Sequence, residues 1–166
     1  MYAKHFSCNQ NQEYSNSIND TAQIVYEILL RTISEHQIPD FNKINNKNNI
    51  FVLNTFFLPH CSGQDTTSYN QFRLVRNLPN KIGNTHFCLK TKEELKYLAD
   101  KLNEDVVALQ IGYITIKGDT AITGIQTHPV PPTKKYVMYG GGGHFKFRRV
   151  EGKWVYLGKV YCDWIS

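Results

Sequence analysis

Four consecutive glycines, Gly140 to Gly143, open the segment with the most chemical potential. A glycine loop cradles phosphate when a helix follows it, because the first helical N–H groups point at the anion. Here His144-Phe145-Lys146-Phe147-Arg148 follows. That segment alternates as a strand does, and no Lys-Ser or Lys-Thr pair closes the run, so a nucleotide site is not indicated. Two readings of the glycines remain. One is a bulge or sharp bend where a neighbouring element comes too close for side chains. The other is a bare backbone at Gly141 and Gly142 that a ligand approaches. Along the strand, Phe145 and Phe147 point one way, and His144, Lys146 and Arg148 point the other. With the rings turned to the core, the basic side stands on an open sheet face. His144, Lys146, Arg148, Gly141 and Gly142 are therefore the candidate ligand-binding residues. The plainer alternative is an ordinary solvated strand face.

The remaining histidines and cysteines carry less. His60-Cys61 and His86-Phe87-Cys88 supply metal-ligand types, and His86 and Cys88 share one side of an extended segment. The spacing fits no usual zinc pattern, and adjacent His60 and Cys61 are poorly placed as joint ligands. Cys61 with His60 as nucleophile and base lacks a third, orienting group. Asp65, Glu104, Asp105 and Asp119 form no recognisable carboxylate pair. No catalytic residue, metal site or cofactor is assigned. Of the four cysteines, Cys8, Cys61, Cys88 and Cys162, Cys61 with Cys88 is the plausible bridge in an oxidising compartment. In the cytosol all four would stay reduced.

The chain has 166 residues, 41% of them hydrophobic and 13% aromatic, with a net charge of +5. That composition suits one globular domain and excludes a disordered or collagenous chain. No apolar run approaches the roughly 20 residues of a membrane span. The cationic excess is local: residues 134–166 hold seven bases and two acids, and the rest of the chain balances. An anionic ligand or protein is the partner class this suggests. Only five of the 19 bases are Arg, thin for base or phosphate readout, so nucleic acid is not favoured.

These residues need a frame. Residues 1–19 read as a flexible polar arm, and residues 20–166 as a single α+β domain. Asp20 with Gln23 suggests a cap, and Ala22, Val25, Ile28, Leu29 and Ile33 have helical spacing up to Ile38-Pro39. Ile50 to Leu58 reads as a strand buried on both faces, and Gln71 to Leu78 is ambiguous. Thr91-Lys92-Glu93-Glu94 is a capping box, and Leu95, Leu98, Ala99 and Leu102 form that helix's apolar side. Val106 to Ile116 reads as strand, Lys117-Gly118-Asp119-Thr120 as a hairpin turn, and Ala121 to Thr127 as the returning strand. His128 to Pro132 reads as a stiff loop, with Tyr136 to Tyr139 re-entering the sheet. His144 to Val150, a Glu151-Gly152 turn and Lys153 to Ile165 complete a meander. Trp154, Tyr156, Tyr161 and Trp164 read as packing residues of that last strand. The expected architecture is two-layer α+β, with an antiparallel sheet in the C-terminal half packed on two helices segregated to one face.

Tyr139-Gly140-Gly141-Gly142-Gly143 leading to Phe145-Lys146-Phe147, then Glu151-Gly152-Lys153-Trp154 and Trp164-Ile165-Ser166, resembles a family of small uncharacterised bacterial α+β proteins of the Bacteroidetes type, often lipoproteins. The Gly-Lys-Trp hairpin also resembles nuclear-transport-factor-like and cystatin-like folds. The resemblance implies one α+β domain and export to the cell envelope, and brings no catalytic residues. Phe6-Ser7-Cys8 followed by a polar stretch looks like a lipoprotein junction, although no apolar segment precedes it in this sequence. The function these features favour is a non-catalytic binding domain of a secreted or membrane-tethered protein. Two others stay open: an immunity-type protein that blocks a toxin, by fold-level analogy, and an enzyme whose His60, Cys61, His86 and His144 converge.

Overall fold

Two helices form where the apolar spacing calls for them, and they settle on opposite faces of one sheet. The structure is a computed structural model that describes residues 20–35, 38, 41–57, 78–136 and 140–160. The polar arm, His60, Cys61, the 71–77 segment, residues 137–139 and the last six residues lie outside the described residues. Helix α1 spans Asp20–Glu35 and buries Ala22, Ile24, Val25, Ile28 and Leu29. Asp20 does not sit ahead of it as a cap but is its first helical residue. Its carboxylate pairs with Arg149. Helix α2 spans Lys92–Leu102 and begins as the sequence indicates: Glu94 N–H donates to the Thr91 hydroxyl, and Thr91 N–H to the Glu94 carboxylate. That backbone bond is the main cause holding the Glu94 carboxyl below its ordinary value. Asn103 closes the helix in the left-handed conformation, which asparagine tolerates.

The strands are β1 (Asn49–Leu53), β2 (Lys81–Ile82), β3 (Thr85–Lys90), β4 (Val106–Ile111), β5 (Thr115–Lys117), β6 (Thr120–Val130), β7 (Gly142–Val150) and β8 (Lys153–Val160). They form one open sheet in the order β2-β3-β1-β4-β6-β7-β8, with β5 beside β6. The half from β4 onward is antiparallel, as expected. The other half is not: β1 runs parallel to both β3 and β4. The sheet is therefore mixed, and the architecture is α+β in its coarse class.

The expectation of both helices on one face needs revising. A strand sends alternate side chains to opposite faces. Ile50 and Val52 of β1, with Val107, Leu109 and Ile111 of β4, join the core under α1. Phe51 and Leu53, with Val106 and Ala108, join Leu95, Leu98 and Ala99 of α2. Strand β1 ends at Leu53, short of the expected Leu58, where Asn54 and Thr55 interrupt the apolar run. Ile50 to Leu53 is apolar because helices cover this region from both sides.

Other differences have local causes. The strand expected over Val106–Ile116 breaks between Ile111 and Thr115. Gly112 turns there beside Gly124, where an added Cβ would lie 2.7 Å from the Gly124 nitrogen. Strand β6 runs on through His128-Pro129, expected as loop, with Pro129 opposite Val107. Thr127 N–H donates toward β7, to Gly141 O. Two residues on, Pro129 turns its donor-free nitrogen to the same side, where the β6–β7 pairing has ended. Tyr136 stands in a loop and is 92% exposed, so it does not re-enter the sheet. The Glu151-Gly152 turn has both residues at positive φ, 49° and 76°, as a two-residue hairpin of this twist requires.

Candidate functional site

The site begins with the alternation of β7. Phe145 and Phe147 are buried in the α1 core beside Ala121, Ile125 and Trp154. Tyr156 packs on both rings, at centroid distances of 5.9 and 5.7 Å. Turning the strand over would expose two phenylalanines, about 1.5–3 kcal/mol each, and bury two cations. His144, Lys146 and Arg148 are thereby fixed on the other face.

Cross-strand partners share a face, so the register gives the layout of that surface. Val150 and Lys153 stand at its outer edge; the first row that reaches β5 is Lys117, Thr120, Arg148 and Val155, and the next is Thr115, Ile122, Lys146 and Gly158. Gly124, His144 and Val160 follow, then Gln110, Gln126 and Gly142. Ala108 and His128 come next, and Val106 with Val130 last, at the end that α2 covers. Among the described residues, none from β7 or β8 joins the α2 core. The face thus grades from dry under α2 to wet and cationic at the β5–β8 end.

Between those ends lies a polar seam. The Gln126 side-chain amide donates to Gln110 Oε1 at 2.9 Å, and Gln110 donates to Thr55 O at 3.3 Å. The Phe57 ring roofs the next row. A Cβ on Gly124 would lie 2.9 Å from Phe57 Cζ and 3.3 Å from His144 Cδ2. Both glycines of this crossing, Gly112 and Gly124, leave room for that ring. Beneath it, His144 is half-buried, and its Nε2 has no hydrogen-bond partner. Burial, and then the Lys159 ammonium, hold its pKa below the ordinary 6.5. His128 is shifted the same way by burial and then by Lys92. Both imidazoles are neutral at neutral pH. The two seam glutamines, Phe57 and His128 were not singled out from the sequence. The period-two position of Gln110 and Gln126 in otherwise apolar strands was the available signal.

The glycine run lies close against β6, with Gly140 and Gly142 exposed. A Cβ on Gly142 would sit 2.7 Å from both Gln126 Cβ and Ile125 O, and one on Gly140 3.2 Å from Pro129 Cδ. Gly140 also has φ +132°, which L side chains avoid. Strand β6 therefore already occupies the space beside Gly140 and Gly142, and Gly141 exchanges hydrogen bonds with Thr127. A strand, not a helix, follows the run.

At the open end, Arg148 Nε lies 3.7 Å from Asp119, with both side chains 62% exposed, a pairing too wet to hold the guanidinium firmly. Lys146 is half-buried, and Arg148 and Lys153 are exposed. The other expected chemistry does not assemble. His86 is exposed and Cys88 is buried in a disulfide, which removes that thiolate as a ligand or nucleophile. The proposed bridge partner, Cys61, and His60 lie outside the described residues. Among the described residues no three His, Cys, Asp or Glu side chains gather as metal ligands. A shallow cleft of about 460 Å3 lies between Lys43, Asn45, Glu104, Asp105, Lys135 and Tyr136. Its two carboxylates and two ammonium groups give no preference of sign.

Fold and face together define an α+β domain with two helices, an open multi-stranded sheet and a cationic corner left uncovered by α2. No described protein family, curated protein or solved structure matches the chain. Among the described residues no helix is long and apolar enough to cross a membrane.

Proposed function

We propose that the chain is a non-catalytic binding module of a secreted or membrane-tethered bacterial protein, and that it engages an anionic partner through Lys146 and Arg148. The observation that carries this reading is the strict alternation of β7. It drives Phe145 and Phe147 into the core and leaves the two cations on a face outside the α2 core. His144 bounds that surface on its inner side, neutral under Phe57. The disulfide at Cys88 supports an oxidising compartment, in keeping with the envelope location that the C-terminal resemblance implies.

Binding to fluorescein-labelled poly-L-glutamate, followed by anisotropy, tests the reading. The wild-type chain should bind it, more weakly as salt rises. The double variant Lys146→Glu, Arg148→Glu should bind about tenfold more weakly or less, a loss of about 1.4 kcal/mol. Equal binding by the two proteins, at matched thermal stability, would remove Lys146 and Arg148 as the site.

A further inference from the structure

The cationic corner also carries aliphatic side chains in the open. Val150, Val155 and Leu157 are 48%, 44% and 54% exposed. Val155 pairs with Arg148 and Val150 with Lys153, so all four stand on the face that bears Lys146. Leu157 is the extra residue of a bulge: Lys146 pairs with Gly158 and Phe147 with Tyr156, so Leu157 has no opposite number. A bulge re-aims a side chain at a sheet edge, and here it sets a leucine out into solvent.

Resting on the reading that Lys146 and Arg148 take an anionic partner, we infer that the partner is an anionic phospholipid surface. The cations meet the headgroups, and Val155 and Leu157 enter the interface. Charge supplies the first argument. Lys117, Lys146, Arg148 and Lys153 stand in or beside these rows against Asp119 and Glu151, a cationic excess that suits a negative leaflet. Chemistry supplies the second. Protein interfaces favour Tyr, Trp and Arg and are poor in Lys, with Val under-represented among their anchors. This corner has three lysines, one arginine and aliphatic side chains, and no aromatic among the residues named. Shape supplies the third. A strand surface with Gly158 open beside Lys146 has no wall to enclose a small anion, whereas a bilayer needs only a flat contact. Adsorption of this kind is reversible, because each basic residue near a charged leaflet strengthens binding only about fivefold.

Co-sedimentation with large unilamellar vesicles tests this with the full chain. Phosphatidylcholine vesicles containing phosphatidylglycerol should carry the protein down, and pure phosphatidylcholine vesicles should not. Lys146→Glu with Arg148→Glu should reduce binding roughly twentyfold or more, from two charges removed at about fivefold each. Val155→Ser with Leu157→Ser should weaken vesicle binding severalfold while leaving poly-L-glutamate binding unchanged. Raising salt on the wild-type protein gives a second measure that needs no variant, and should release it from the vesicles. Binding to poly-L-glutamate without vesicle binding overturns the lipid inference and keeps the anionic-partner reading. Loss of both overturns both. Equal affinity for the two vesicle types, or vesicle binding that survives either double variant, also overturns the inference.

Discussion

Replacing Gly142 with alanine asks whether the glycine run exists for β6 or for something arriving from outside. A methyl group there would lie 2.7 Å from Gln126 Cβ and from the Ile125 carbonyl oxygen. Neither atom is the free end of a side chain. Ile125 pairs with Gly143 and Ile111, and Gln126 with Gly142 and Gln110, so yielding means spreading the ladder. Forcing one methyl into a packed position destabilises by about 1–3 kcal/mol. Loss of glycine's freedom in the unfolded chain returns about 0.4–1 kcal/mol. The net expectation is a loss of about 1–2 kcal/mol, which for a chain of this length lowers Tm by roughly 2–8 °C. Thermal melts followed by far-UV circular dichroism would measure it. A variant whose Tm is unchanged or raised would refute the reasoning. The β6–β7 approach would then be looser than described, and the bare backbone at Gly142 would be open to a ligand.

Two further outcomes follow from titrating groups. The His144 imidazole titrates below 6.5 because of burial and then Lys159, so the unfolded chain binds the proton more readily. Its contribution to stability is complete above pH 6.5 and declines as pH falls through the folded value. In NMR titrations, Phe57→Ala should move that midpoint upward by opening the roof over the ring, and an unmoved midpoint would mean that Phe57 does not desolvate it. The Asp100 carboxylate accepts from Thr133 N–H at 2.6 Å and from its hydroxyl at 2.9 and 2.8 Å. Those bonds, backbone first, hold its pKa below the ordinary 3.8. The tether between α2 and the loop after β6 should therefore persist above pH 3.8 and be lost as pH falls through the lower folded value. Thr133→Val removes the hydroxyl bonds and keeps the backbone N–H, so it should raise the Asp100 midpoint only part of the way toward 3.8, and an unmoved midpoint would show that the hydroxyl adds nothing to the shift.

Where a local rule decides, the sequence announces the structure. Thr91 and Glu94 specify the start of α2 because the bonds that cap it span three residues. Phe145, Phe147, Lys146 and Arg148 announce the faces of β7 because alternation is a period of two. The Gly118-Asp119 and Glu151-Gly152 turns are set by positive φ at Gly118, Glu151 and Gly152. Strand β3 was not visible, because Thr-His-Phe-Cys-Leu-Lys alternates weakly and its partner β1 lies far back in the chain. The parallel pairing of β1 could not be read locally at all, since it depends on residues 85–90 and 106–111 arriving on either side. The placement of the helices on opposite faces follows from that pairing and was equally hidden. Within the face, Lys146 and Arg148 were legible. Phe57 was not, because its role is to fill the space left by Gly112 and Gly124, glycines distant from it in the chain.

The central position of β1 has a bearing on how the chain comes together during synthesis. Asn-Ile-Phe-Val-Leu emerges from the ribosome long before His86 or Leu109, the residues that flank it in the finished sheet. Its neighbours are non-local, and such pairings are slow to close. The β6–β7 and β7–β8 ladders, by contrast, join segments adjacent in the sequence. The C-terminal meander can zip up on its own timescale, and the nascent N-terminal half must keep an apolar ribbon from pairing with other chains until β4 is made.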